Sequence, residues 1–321
     1  MPFKPEEVLF SPTTDCNLSC EHCNVQPSRP RLSSRTAIRF LDGCRAAGVR
    51  RVGFTGGEPF LAPDFLCEVT KAAVDKEFLF DRVMTNGVWW RRTKELVEAL
   101  TRLRDAGYDG SICVSVDAFH KQEIRRVARF IRAAIELWRR PEVVTLARVF
   151  GAYDRRTMKM LGELARTLKA RLGRSMAGGY YIKSGELFIK IYSLELVPVG
   201  KAAGLKNPWN GKWFKDDYCR GPGNCFLVMP DGDVKPCCGY ASDSAALTIG
   251  NIRRDSANAI LRKLRKNRFA STVFDSGLGA VRKRLEKSGV RFPGKTTDRC
   301  SFCYHILNDL PGGVLEKCLD R

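Results

Sequence analysis

The chain has 321 residues, 44% of them hydrophobic and 28% charged, with a formal net charge of +20. That length suits one large domain plus a smaller one, and it buries a sizeable core without disulfides. No apolar stretch approaches the ~20 residues that a membrane span requires. Residues 1–10, carrying Lys4, Glu6 and Glu7, lack the apolar core of a secretory signal, so a cytoplasmic protein without membrane partners is expected.

In chain order, Val8–Pro12 reads as a short strand ending at a cysteine loop. Thr36–Gly48 has helical spacing with a glycine stop, and Arg51–Thr55 is a strand closed by Gly56-Gly57. Phe65–Val74 is a helix, Asp81–Thr85 a strand ending at Asn86-Gly87, Thr93–Arg104 a helix and Ile112–Val116 a strand ending at Asp117. Ile124, Val127, Ile131, Ile135 and Trp138 form one apolar helical stripe, which Pro141 terminates. Val143–Val149 is the next strand. This alternation predicts a parallel α/β sheet or barrel. Tyr181–Val199 is β-rich, broken by Gly185 and without a helix. A boundary near residue 205 divides the chain into 1–205 and 206–321.

The 13 cysteines are unevenly placed: three lie in Cys16–Cys23 and seven after residue 218. In a reducing compartment such clusters bind metal more often than they form disulfides. Cys44, Cys67 and Cys113 sit singly in apolar contexts and read as buried small hydrophobes. Cys16, Cys20 and Cys23, spaced Cys-x3-Cys-x2-Cys, supply three thiolates for a cubane iron–sulfur cluster and leave one iron open to chemistry. A closed zinc site would need His22 as its fourth ligand, strained between two cysteines. The basic residues are scattered, with one dense patch at Arg262–Arg268. They read as solvated helix faces or as attraction to an acidic peptide or a nucleic acid.

The string Cys16-Asn-Leu-Ser-Cys20-Glu-His-Cys23 resembles the signature of the radical S-adenosylmethionine (SAM) superfamily. Gly56-Gly57-Glu58-Pro59, Thr85-Asn86-Gly87 and Ser115-Val116-Asp117 match that family's strand-end positions. The resemblance implies a partial (βα)6 TIM-like barrel and a [4Fe–4S] cluster on Cys16, Cys20 and Cys23 whose open iron chelates SAM. It places His22 near the adenine, the methionine amino group on Gly56, Gly57, Glu58 and Pro59, and the ribose on Asn86, Ser115 and Asp117. A flavodoxin or ferredoxin would supply the electron. Arg148, on the expected fifth strand, is either a surface arginine or a partner for the SAM carboxylate.

Near the C-terminal end, Cys219 and Cys237 flank a hairpin signal at Asp231-Gly232, and Cys300-x2-Cys303 follows. Spacing alone fits a zinc ribbon as well as an iron–sulfur site. The order resembles the short "twitch" form of the SPASM-type auxiliary domain, which implies a second [4Fe–4S] cluster on Cys219, Cys237, Cys300 and Cys303 beside a β-hairpin and helix. Cys225 resembles an early ligand of the longer two-cluster form, for which only Cys318 remains downstream. Cys238 adjoins Cys237, and neighbours in an extended chain point oppositely. It is either a filler thiol, an alternative ligand or a residue facing the barrel.

Together with Val199-Gly200-Lys201-Ala202-Ala203 and Pro236-Cys237-Cys238, these motifs are similar to those of radical SAM peptide epimerases. That likeness implies a precursor-peptide substrate, abstraction of an α-hydrogen from an L-residue, and return of hydrogen from Cys238 to leave a D-residue. The alternative within the superfamily is oxidation or cross-linking of a peptide or an aminoglycoside-like molecule. A basic, metal-dependent RNA-binding protein ranks last, because it leaves the N-terminal loop unexplained.

Overall fold

The computed structural model describes residues 3–215, 219 and 222–319. The first half alternates strand and helix. The order is β1 (Glu7–Phe10), α1 (Ser34–Ala46), β2 (Arg51–Phe54), α2 (Pro63–Asp75), β3 (Leu79–Thr85), α3 (Thr93–Asp105), β4 (Ser111–Ser115), α4 (Ile124–Trp138), β5 (Val144–Phe150) and α5 (Asp154–Thr167). Strands β1 to β5 are parallel neighbours in sequence order. Strict alternation decides which side chains face the helices: Val8 and Phe10, fully buried, lie in the helix-side core, while Glu7 and Leu9 turn to the lumen. The stripe on α4 buries Ile124, Val127 and Ile131 as its periodicity predicts, each contributing about 1.5–3 kcal/mol. Arg139, in the left-handed region at φ 52°, turns the chain out of that helix.

The β-rich stretch resolves into an antiparallel excursion. Strands β6 (Arg171–Arg174), β7 (Tyr180–Ser184) and β8 (Leu187–Glu195) form a meander, and only β8 returns parallel to β5. The sixth parallel strand of the partial barrel is thus reached through a hairpin, consistent with the missing helix in the sequence pattern.

The C-terminal portion is less separate than a boundary at residue 205 suggests. Strand β9 (Cys225–Val228) pairs parallel with β1, register Glu7↔Cys225 to Phe10↔Val228. Strands β10 (Asp233–Lys235) and β11 (Gly250–Asn251) extend the same sheet antiparallel, giving the order β11-β10-β9-β1-β2-β3-β4-β5-β8-β7-β6. Phe226, Val228, Val234 and Ile260 belong to the barrel's own hydrophobic core. A second core is built by α7 (Arg268–Lys287), α8 (Arg299–Asn308) and α9 (Val314–Leu319) around Phe302, with α6 (Ala257–Lys266) linking the two. Among the described residues, no helix is long and apolar enough to cross a membrane.

Candidate active site

The loop leaving β1 carries the first three cysteines, and their thiols lie close enough that Cys23 raises the pKa of both Cys16 and Cys20. Burial, then the neighbouring Cys23 and Cys16 sulfurs, push Cys20 up to about 12. A site that disfavours its own thiolates is completed by positive metal charge, which reverses that penalty. The donor set therefore fits an iron cluster. The loop is braced by backbone: Gly57 N donates to Thr13 O at 2.9 Å and Glu58 N to Asp15 O at 2.8 Å. Asn86 Nδ2 donates to Asn17 Oδ1 at 2.8 Å and lies 3.7 Å from Cys16 Sγ.

These bonds explain the glycine pair differently from the sequence reading. A Cβ on Gly57 would stand 2.3 Å from Asp15 O, and one on Gly56, at φ +133°, 2.6 Å from Thr13 O. What approaches closely is the cysteine loop itself. Glu58 also departs from expectation. It is fully buried, and its carboxylate accepts from Phe60 N (3.2 Å), Thr85 Oγ1 (2.9 Å) and Asn86 N (2.8 Å). Burial lifts it to about 7 against the pull of those three donors. It ties the end of β2 to the end of β3, with Pro59 starting the buried turn behind it.

His22 packs at 4.7 Å from the Phe119 ring and 4.9 Å from that of His120. Burial, then His120, lower it to about 4, so it is a neutral aromatic group at neutral pH. Asp117, past the end of β4, accepts from His120 Nδ1 at 2.7 Å and from the backbone N–H groups of Phe119 (3.0 Å) and Val149 (3.1 Å). Its burial raises its pKa, but these partners outweigh it and leave the carboxyl below its ordinary value. His22, Asp117 and His120 thus gather at one strand-end corner.

Sequence reasoning missed Gln122. Its Nε2 donates to Asn86 O at 2.5 Å and to Ser115 O at 2.7 Å, clamping the ends of β3 and β4, while its buried Oε1 has no partner. No sequence signal marks it, because its role depends on two carbonyls distant in the chain. Arg148 is not brought to this corner. It lies on the helix side of β5, donates from Nε to Ser193 Oγ at 2.9 Å, pairs with Asp154 and stacks 4.8 Å from the Tyr180 ring. Arg148 is buried, so it is not the surface arginine of the sequence reading, and its guanidinium is occupied by these partners.

The four C-terminal cysteines converge. Cys219, Cys237, Cys300 and Cys303 line one cavity whose other walls include Leu247, Phe269 and Leu278. Asp298 caps α8 by accepting from Ser301 N at 2.9 Å, which sets Cys300 and Cys303 three residues apart on one face of its first turns. Burial pushes Cys300 to about 12 and raises Cys237 and Cys303 as well. This is again a donor set that positive metal charge completes. Cys225 is not among the residues lining that cavity. It opens β9 opposite Glu7, with Cys238 close enough to raise its pKa. Cys238 turns away from the four thiols, toward Cys225, Glu7 and the β3 pair Asp81 and Arg82.

Comparison with known proteins accords with this geometry. The sequence profile of the Radical SAM superfamily matches residues 10–173, slightly more than half of the chain, and that of the SPASM iron–sulfur cluster-binding domain matches 219–287. A putative peptide biosynthesis protein, YydG of Bacillus subtilis (strain 168), is 22% identical over 306 residues, covering 91% of this chain and 89% of that protein. A probable GTP 3′,8-cyclase of Methanopyrus kandleri is 34% identical over 125 residues, and the match covers 38% of each protein. The solved structure of native anSMEcpe with bound AdoMet and Cp18Cys peptide shares the fold at TM-score 0.57 and 13% identity, covering 98% of this chain and 99% of that one. The chain belongs to the radical SAM superfamily, an enzyme of [4Fe–4S] and SAM chemistry whose partial barrel is followed by an auxiliary iron–sulfur domain.

Proposed function

We propose that this enzyme inverts an α-carbon of a peptide, L to D, with Cys238 as the hydrogen donor. Cys16, Cys20 and Cys23 would hold the SAM-binding cluster, and Cys219, Cys237, Cys300 and Cys303 the auxiliary one. When bound, cluster and SAM supply a 5′-deoxyadenosyl radical that removes a hydrogen atom from an unactivated carbon. The chain's own residues do the rest. The Gly56-Gly57 backbone and Asn86 fix the cysteine loop. Neutral His22 offers an aromatic face for the adenine, and the β3 and β4 ends, clamped by Gln122, leave Asn86 and Ser115 for the ribose, with buried Asp117 holding His120 behind them.

The observation that carries the reading is the divergence of adjacent cysteines: Cys237 joins the four-thiol cavity while Cys238 turns to the lumen-facing Glu7 and Arg82. A thiol there can return a hydrogen atom to a substrate carbon. The near full-length likeness to a peptide biosynthesis protein supports a peptide as substrate. The test is turnover of a candidate precursor peptide in heavy water. Inversion places solvent deuterium on the α-carbon and removes no hydrogen overall, and Cys238→Ala retains its iron yet yields no D-residue. A D-residue formed normally by that variant sinks the reading, as does a product lacking two hydrogen atoms, which marks oxidation or cross-linking instead.

A further inference from the structure

The β6–β8 meander leaves one of its faces uncovered. Ile189 and Ile191 of β8 join the helix-side core, so the alternate residues Phe188, Lys190, Tyr192 and Leu194 point to the lumen side. The ladder Ser115↔Ala147↔Tyr192 sets that face level with Ser115, two strand spacings or about 10 Å away. Arg82, lumen-facing on β3, reaches the Tyr192 ring at 5.9 Å. Yet the face stays open: Phe188 is 48% exposed, Tyr192 38% and Leu194 48%. The ring of Tyr181 on β7 lies over Gly173, where a Cβ would stand 2.5 Å from it, and stacks on Phe188 at 5.4 Å. Lys190 stands 4.6 Å from the Tyr192 ring. Register puts Lys183 beside Phe188 and Arg171 beside Lys183, so three cations frame the rings. Of the residues paired across this face none is acidic, and among the described residues none of the three cations meets a carboxylate. Glu195 points to the opposite face, where it pairs with Lys206 at 2.5 Å.

We propose that this face docks an extended, acidic segment of the substrate peptide, laid along β8. This rests on the reading of a peptide as substrate. From Phe188 to Leu194 the strand takes six residue steps of about 3.3 Å, roughly 20 Å, toward the strand ends where the cysteine loop sits. Alternate side chains of an extended partner point the same way. One set would lie apolar against Phe188, Tyr192 and Leu194, while carboxylates flanking it meet Arg171, Lys183 and Lys190. A single exposed ion pair contributes little. Three cations on one face with no competing acid set the sign of the partner and speed its approach. The chemistry favours a peptide over a nucleic acid. Tyr181 and Phe188 already stack on each other, so a base would have to part them, and Leu194 offers neither a stacking plane nor a charge.

The test is fluorescence anisotropy on the anaerobically assembled holoenzyme without added SAM. The labelled probes are peptides about twelve residues long, one of Glu-Leu-Glu-Gly repeats and one of Lys-Leu-Lys-Gly repeats. The parent should bind the glutamate probe about tenfold more tightly than the lysine probe, and that affinity should fall by about tenfold as salt rises from about 50 mM to about 500 mM. Lys183→Glu combined with Lys190→Glu should weaken it by about tenfold at unchanged iron content, and Phe188→Ser by about threefold at either salt level. Arg262→Glu combined with Arg265→Glu, on α6, should leave probe binding at the parental level. Equal affinity for the two probes overturns the proposal, and so does a loss caused by the α6 variant in place of the β7–β8 one. Displacement of the glutamate probe by an equal concentration of single-stranded RNA about twelve nucleotides long also overturns it, marking a nucleic-acid face. Probe binding does not involve Cys238. Tight binding by a parent that forms no D-residue keeps the face and sinks the inversion, whereas a D-residue formed by a parent that ignores the glutamate probe sinks the face alone.

Discussion

The two cysteine sites solve the problem of presenting thiols in opposite ways. The N-terminal set sits on a loop with no regular structure, where Cys16 is exposed, and it is held by backbone bonds from the β2 end and the Asn86 side chain past β3. The C-terminal set leans partly on regular elements: Cys300 and Cys303 lie in the first turns of a capped helix with apolar walls around them, Cys237 follows a hairpin strand, and Cys219 lies outside any element. A loop with three thiols leaves a coordination position accessible, as catalysis requires. A packed set of four closes its site. Asn24, just past Cys23, donates to Tyr240 O at 3.2 Å, joining the two regions through one side chain.

The largest test of this contrast exchanges one thiol in each. Cys16→Ala should abolish release of 5′-deoxyadenosine and lower iron by about four per chain, whereas Cys303→Ala should lose a similar amount of iron yet still release it. Equal loss of 5′-deoxyadenosine from both would mean that the two sites are not functionally distinct. Next in size is Gly57→Ala. Its Cβ would stand 2.3 Å from Asp15 O, and the displaced loop should cost about 100-fold in the same assay while circular dichroism stays unchanged. Parental activity there would show that the loop is held by something other than that backbone approach.

What the sequence made legible is local. The alternating strands and helices, the stripe on α4, the Asp231-Gly232 turn and both cysteine groups all follow from spacing within short windows. What it hid depends on pairing between distant segments. That β9 joins β1 is invisible, because the short run Phe226–Val228 pairs equally well on paper with any open sheet edge. Glu58 reads as a ligand-facing acid because nothing in Gly-Gly-Glu-Pro reveals that Thr85 and Asn86 will occupy its oxygens. Arg148 stays open between two readings in the sequence because strand phase, not strand identity, decides whether a residue faces lumen or helices.

The smallest test concerns the lumen wall. Burial first, then the charge and hydrogen bond of Asp81, raise Glu7 from 4.5 to about 8. Between those values the folded chain holds a proton that the unfolded chain has lost, so stability falls as pH rises through that window. Because Glu7 is only half-buried, the effect is modest: the parent's Tm should fall by about 2 °C from pH 5 to pH 9 relative to Glu7→Gln. Parallel Tm profiles for the two proteins would place Glu7 in contact with solvent rather than in the lumen.

The pairing of β9 with β1 turns the sheet into a ruler. Cys225 is level with Glu7, and the cysteine loop departs beyond Phe10, so three residue steps of about 3.3 Å separate the two levels by roughly 10 Å. No hinge intervenes, since both ends belong to one short, hydrogen-bonded ribbon with a shared core. In the inversion proposed above, a carbon held midway along that ribbon would meet the abstracting group from one level and a sulfur from the other, without any domain motion.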